Sequence, residues 1–266
     1  MTVLPPSLTE SAIVTRLRAA GCVFAEDEAR LLIDTATNPT DLATMVDRRV
    51  DGLPLEHVLG WAEFCGLRIA VGPGVFVPRR RTEFLVRQAA AAARPGAVVV
   101  DLCCGSGALG AALASAVEGI ELYAADIDPA AVRCARRNTA DVGGRVFQGD
   151  LFDPLPGGLR GRVDVLVANV PYVPTEEVGL LPPEARDHEP LVALDGGADG
   201  LDVMRRVTGA AAGWLAPGGC LLVETSERQA QRALQAFAGD GLPARLARSE
   251  ELHATVVIGT RPGAPS

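Results

Sequence analysis

The chain has 266 residues, 48% of them hydrophobic, and a formal charge of −8; at roughly 100–200 residues per domain it is long enough for one large domain or for a small one beside a medium one. All 25 basic residues are arginine, which excludes a Schiff-base lysine and the lysine of a P-loop, and the acidic balance argues against a surface built to track phosphates. His57, His188 and His253 lie far apart with no HExxH, and Cys22, Cys65, Cys103, Cys104, Cys134 and Cys220 form no CxxC pair, so neither a zincin nor a zinc ribbon is expected and no metal site is assigned.

At the N-terminus, MTVLPPSLTES shows neither a basic n-region nor an apolar h-region, and no apolar run of about 18 residues follows anywhere. The expectation is a soluble cytoplasmic protein with reduced, mostly buried cysteines. Ser7-Leu-Thr-Glu10 reads as a capping box opening a helix with Leu8, Ile13, Val14 and Leu17 in period, stopped at Gly21. A second helix spans about 25–37 and ends before Asn38-Pro39; a third starts near Thr40 with Leu42, Met45 and Val46 on one face. Residues 1–60 are therefore expected to form a small helical domain.

From Trp61 the period changes. Phe64, Leu67, Ile69 and Val71, then Gly72-Pro73-Gly74, then Val75-Phe76-Val77 read as a β-hairpin, giving a linker over 61–80. Thr82 caps a helix reaching Ala93, which Pro95-Gly96 ends. Strands are expected near 97–102, 120–125, 145–148, 163–168, 219–224 and 254–259, with helices near 107–116, 129–140, 199–212 and 227–238. This alternation implies an α/β domain over 81–266 with a parallel doubly wound sheet, and a ligand beyond the carboxyl ends of its strands.

The strand Val98-Val-Val-Asp101 runs into Leu-Cys103-Cys104-Gly105-Ser106-Gly107-Ala-Leu-Gly110 and a helix. Glycines let a ligand approach the backbone, and the helix start offers free N–H donors. The next strand ends in Asp126, a carboxylate suited to ribose hydroxyls. Two cofactors compete. Gly105-x-Gly107-x-x-Gly110 matches the dinucleotide fingerprint, which favours NAD. Asp101 at the mouth of the loop would repel a pyrophosphate and attract the ammonium of a methionine moiety, which favours S-adenosylmethionine. After the third strand, Asp150 could accept from an adenine amino group and Leu151 could cover its ring, although an Asp here also serves as a plain turn residue.

The fourth strand ends in Asn169-Val170-Pro171-Tyr172. An amide nitrogen is a poor nucleophile because its lone pair is delocalised. The Asn169 side-chain oxygen and the Val170 carbonyl could hold its two N–H groups and turn the nitrogen toward an electrophile. Pro171 biases residue 170 toward an extended conformation, and Tyr172 can stack on the flat amide. No strong general base is required, because methylation makes the nitrogen acidic and the proton then leaves.

With these residues the sequence resembles the HemK/PrmC family of protein-(glutamine-N5) methyltransferases. The likeness includes Pro54 to Gly60, Glu63-Phe-Cys-Gly66, Val77-Pro78-Arg79, Thr82-Glu83, the glycine loop, Asp126-Ile-Asp-Pro129, Asn138, the 169–172 tetrapeptide, Arg186 to Leu194, Gly197 and Asp199-Gly-Leu201. The resemblance implies a class I, Rossmann-like S-adenosylmethionine-dependent methyltransferase domain behind a helical substrate-recognition domain. It implies cofactor contacts from Cys103 to Gly107, Asp126, Leu151 and Asn169. The glutamine, from a release factor or a ribosomal protein, would be held by Asn169 to Tyr172. The family tetrapeptide is Asn-Pro-Pro-Tyr; Val170 here resembles a subgroup with a small residue at that position, and Cys103-Cys104 replaces Gly-[Thr/Ser].

Those two cysteines read either as small packing residues or as a thiolate activated at a helix N-terminus. Arg79-Arg80-Arg81 reads as a solvated turn or as a contact to an acidic partner. His188 is structural, since transfer needs no base. The expected enzyme is a monomer acting on a protein, with no membrane and no direct nucleic-acid substrate. The rival is a nucleic-acid amino methyltransferase acting on adenine or guanine, whose motifs are similar; the acidic balance opposes it. A non-catalytic binding protein is opposed by Asp126, Asn169 and Tyr172.

Overall fold

The computed structural model describes residues 8–263. The first helix, α1 (Glu10–Ala19), is capped by Thr9, whose hydroxyl accepts from the Ala12 N–H at 3.4 Å; the Ser7 of the expected capping box lies outside the described residues. Helices α2 (Ala25–Thr35) and α3 (Pro39–Val50) follow, the latter capped by Asn38 Oδ1 on the Asp41 N–H with Pro39 in its first turn. A short α4 (Leu55–Leu59), unforeseen in the sequence, ends at Gly60 in the left-handed region. Ile13, Leu17, Ala29, Leu32, Leu42 and Val46 from three helices close a core of their own.

Strands β1 (Trp61–Phe64) and β2 (Leu67–Ala70) pair antiparallel with Phe64 opposite Leu67. The turn is Cys65-Gly66, at φ 50° and 74°, a two-residue turn whose twist suits the hairpin. This corrects the sequence expectation, which placed the turn at Gly72-Pro73-Gly74 and a strand over 75–77. Those residues form an extended segment instead. Val75 and Val77 still bury against Ala62 and Val71, and His57 Nε2 is hydrogen-bonded to the Val75 carbonyl at 2.8 Å. Helix α5 (Glu83–Ala92) follows a single 3-10 turn over Arg80–Thr82, so Thr82 does not cap it through its side chain as expected.

Then come β3 (Val98–Leu102), α6 (Ala108–Ala116), β4 (Glu121–Asp126), α7 (Pro129–Asn138), β5 (Arg145–Gln148), β6 (Val163–Ala168), α8 (Pro183–His188), α9 (Asp202–Ala211), β7 (Leu215–Thr225), α10 (Ala230–Gly239), β8 (Ala244–Ser249) and β9 (Ala254–Thr260). The seven-stranded sheet has the order β5-β4-β3-β6-β7-β9-β8. It is parallel as far as β7, but β9 runs antiparallel to β7 and β8 antiparallel to β9. The expected parallel doubly wound sheet thus carries an antiparallel edge: β8, absent from the sequence expectation because half its residues are polar, pairs with β9 as a closing hairpin.

Helices cover both faces. Leu201, Met204, Val207 and Phe237 pack on one side, and Leu85, Ala89, Leu109 and Leu113 on the other. With both faces covered, β3 is buried along its whole length, which is why it reads as a continuous apolar run. Leu102 pairs with Ala125 on one side and Ala168 on the other. That register sets Cys103, Asp126 and Asn169 side by side where the chain order reverses, at the carboxyl ends of the strands.

Candidate active site

The loop after β3 turns on Cys103, Gly105 and Gly107, at φ 54°, 53° and 77°. A Cβ on Gly107 would lie 2.9 Å from the Ala135 Cα, so its absence lets α6 approach α7, whereas Gly105 faces open space. The Gly105 N–H donates to Asp126 Oδ2 at 2.8 Å and the Asp128 N–H to Oδ1 at 2.9 Å. Asp126 thus shapes the loop and keeps lone pairs on both oxygens. Burial pushes its carboxyl above the ordinary range despite those two donors.

A cavity of about 480 Å³ opens here, and its wall includes Cys103, Cys104, Gly105, Ser106, Asp126, Asp150, Leu151 and the whole of Asn169 to Tyr172. Two candidates stand off the wall. Gly107 serves the helix approach just described. Asp101 lies beneath the loop, fully buried, with Oδ2 accepting from the Gly110 N–H at 3.1 Å and Oδ1 without a hydrogen-bond partner among the described residues. Burial raises its carboxyl to about 7. Asp101 therefore lies behind the cavity wall rather than on it. Asp150 is on the wall, its Oδ2 accepting from Arg206 at 2.6 Å. Burial, reinforced by the neighbouring carboxylates, pushes the Cys103 and Cys104 thiols up, away from a thiolate and toward the packing role.

At the far end of the cavity, Asn169 Oδ1 is buried with no hydrogen-bond partner among the described residues, an acceptor left for something else to satisfy. Val170 is 1% exposed, its side chain in the core with Leu201 and Met204. The backbone beyond is clamped. Gln229 Nε2 donates to the carbonyls of Tyr172 (2.9 Å) and Asp199 (3.0 Å), and the Gly196 N–H donates to the Val173 carbonyl at 2.8 Å. A Cβ on Gly200 would come 2.3 Å from the Tyr172 carbonyl oxygen.

Sequence reasoning did not single out Glu224, Gln229 or Arg206. Glu224, at the end of β7, accepts from the Tyr172 hydroxyl at 3.2 Å and from Arg81 Nε at 3.1 Å; its place at the carboxyl end of a strand was the available signal. The arginine run is neither a plain solvated turn nor a free patch. Arg79 pairs with Glu189 at 2.5 Å and Arg81 with Glu224, both carboxylates nearly fully buried. Glu189 also accepts from the Val77 N–H at 3.0 Å, tying the segment after the hairpin to the loop after β6. Asn138 ties the hairpin to the glycine loop, donating from Nδ2 to the carbonyls of Ala70 and Ser106, both at 2.8 Å, and accepting from the Ala70 N–H at 2.9 Å.

A parallel-dominated sheet with a glycine loop, an acid ending the next strand and an amide acceptor at the switch point defines a Rossmann-like, S-adenosylmethionine-dependent methyltransferase. A family model described as the methyltransferase small domain matches residues 66–180. The release factor glutamine methyltransferase of Geobacter sulfurreducens is 41% identical over 213 residues, covering 78% of this chain and 74% of that protein. The 4-amino-L-phenylalanine/4-methylamino-L-phenylalanine methyltransferase of Streptomyces pristinaespiralis is 41% identical over 193 residues, 69% of this chain and 65% of that protein. A solved methyltransferase from Pyrococcus furiosus shares the fold, with a TM-score of 0.56 at 17% identity over 74% of this chain and 90% of that one. The chain belongs to the HemK/PrmC family of release factor glutamine methyltransferases. Among the described residues no helix is long and apolar enough to cross a membrane.

Proposed function

We propose that this enzyme methylates the side-chain nitrogen of a glutamine in a peptide-chain release factor, working as a monomer in the cytoplasm. The observation that carries this reading is the unpartnered, buried Asn169 Oδ1 at the cavity wall beside a clamped Tyr172. An amide NH2 has two donors to place and a flat face to cover, which suits one side-chain oxygen, one neighbouring backbone carbonyl and one aromatic ring. The relatives named for release factors support the choice of substrate.

S-adenosylmethionine supplies, when bound, a methyl group on a sulfonium. The glycine loop and Asp126 fit its nucleoside end: Gly105 faces open space, and Asp126 keeps acceptor capacity toward the cavity. In this reading Asn169 and the Val170 carbonyl hold the amide N–H groups, Tyr172 covers its face, and Cys103 to Ser106, Asp126 and Leu151 hold the cofactor. Alignment supplies most of the rate enhancement, and the buried walls exclude water. The amide proton leaves after transfer, so His188 has no chemical role.

The helical segment 1–60 is the unit we assign to recognition of the substrate protein, 61–80 to the linker and 81–266 to transfer. A second reading, methylation of a small aromatic amine, is favoured by the Streptomyces pristinaespiralis relative, whose named substrates carry a planar nitrogen of the same kind. The test gives the purified enzyme methyl-labelled S-adenosylmethionine with a release factor, 4-amino-L-phenylalanine and nucleic acid in parallel. Label on a release-factor glutamine supports the first reading. Label on the free amine alone supports the second, and label on nucleic acid alone overturns both.

A further inference from the structure

We propose that Glu224 is a positioning residue for methyl transfer: it anchors the outer end of the Tyr172 ring against the acceptor end of the cavity, with Arg81 holding it in place. The proposal rests on the reading of Tyr172 as one face of the acceptor site.

Two donors meet at one oxygen. Glu224 Oε1 accepts from the Tyr172 hydroxyl at 3.2 Å and from Arg81 Nε at 3.1 Å. The Arg81 guanidinium in turn lies over the Tyr172 ring, 5.7 Å from its centre. The Glu224 side chain is 3% exposed, and its other oxygen has no partner among the described residues. A buried carboxylate with half its acceptor capacity unused is a cost that a leucine at the end of β7 would avoid, so the fold alone does not account for it.

The backbone end of Tyr172 is already fixed by Gln229 and by the close approach of Gly200. A tyrosine has two side-chain torsions, and an anchor at the hydroxyl removes the freedom that remains. The hydroxyl stays a donor: burial first, then Glu224, push the phenol above its ordinary range against the opposing pull of Arg81 and Arg79. A platform misplaced by about 1 Å costs up to about a hundredfold in rate, which is what such an anchor protects against.

The test compares Tyr172→Phe, Glu224→Leu, Glu224→Gln and the Tyr172→Phe/Glu224→Leu double variant. Each single loss of the contact is expected to lower kcat about tenfold, with the double variant no worse than either single and cofactor affinity unchanged. Glu224→Gln, which keeps an acceptor oxygen and the shape, is expected to recover part of the loss. Multiplying losses, or a Glu224→Leu enzyme with normal kcat, would overturn the proposal. A second readout needs no turnover. The chain has two tyrosines, so in a Tyr123→Phe background ring-labelled tyrosine reports Tyr172 alone by NMR. Its ring resonances are expected to shift in Glu224→Leu, where the hydroxyl loses its acceptor, and unchanged resonances would overturn the contact itself. Failure of the parent enzyme to methylate any glutamine would count against the proposed function and not against this contact.

Discussion

Asn169 and Asp101 end up with opposite fates although each sits at or beside the end of a neighbouring parallel strand. Asn169 presents an unsatisfied oxygen to the cavity, while Asp101 turns its carboxylate under the loop to the Gly110 N–H. Asn169→Ala is expected to reduce kcat at least about a hundredfold through loss of amide alignment, while changing stability by no more than about 1 kcal/mol, because no intramolecular hydrogen bond of that oxygen is lost. Near-normal turnover would remove Asn169 from the acceptor role. For Asp101, burial raises the carboxyl from 3.8 to about 7, so the folded protein keeps a proton that the unfolded chain releases between those values. The stability it contributes is fully present below about pH 4 and is lost as pH rises through about 7. Asp101→Asn, which retains an acceptor for Gly110, should flatten that fall in denaturant midpoints across this window. A stability difference between parent and Asp101→Asn that stays constant across this window would contradict the assignment.

Between elements, arginine side chains do the joining. Arg49 on α3, with only 8% of its side chain exposed, pairs with Glu28 on α2 at 2.6 Å and with Glu184 on α8 at 2.7 Å, and it donates to the Leu53 carbonyl at 3.0 Å. One guanidinium thus ties the helical segment to the helix that forms part of the cavity wall. Arg49→Ala leaves Glu28 buried without its partner and should cost about 3–5 kcal/mol, whereas Glu184→Ala, which keeps the buried half of the pair, should cost under about 1 kcal/mol. Chemical denaturation of the two variants checks the ranking, and equal losses would mean that the Arg49–Glu28 pair is not what holds this corner. None of this was legible in the sequence, because Arg49 is separated from Glu184 by most of the sheet domain. The strands before Asp101, Asp126 and Asn169 were legible because burial on both faces forces continuous apolar runs. The hairpin register was not: Cys65-Gly66 lacks the Asn-Gly or Asp-Gly signal, and Gly72-Pro73-Gly74 is the stronger turn pattern. Glu224 and Gln229 reach the site only through the strand order, which places β7 beside β6.

At the scale of the whole molecule, a helical segment with its own core stands beside a sheet whose carboxyl edge opens into a cavity; the hairpin between them is pinned to the glycine loop by Asn138, and the extended segment after it to the loop after β6 by Glu189. The glycine loop and the loop after β6 are therefore both tied to the 61–80 segment that follows the helical segment. The resemblance seen in the sequence becomes physical at these positions: Asn138, Glu189 and the Gly196–Gly200 turn are the residues that hold the three parts in register. The most direct measurement incubates the purified enzyme with methyl-labelled S-adenosylmethionine and a release factor, then maps the label by peptide mass spectrometry. The expected result is one methyl on a glutamine of the release factor, absent with Asn169→Ala. Label on nucleic acid with none on protein would contradict it.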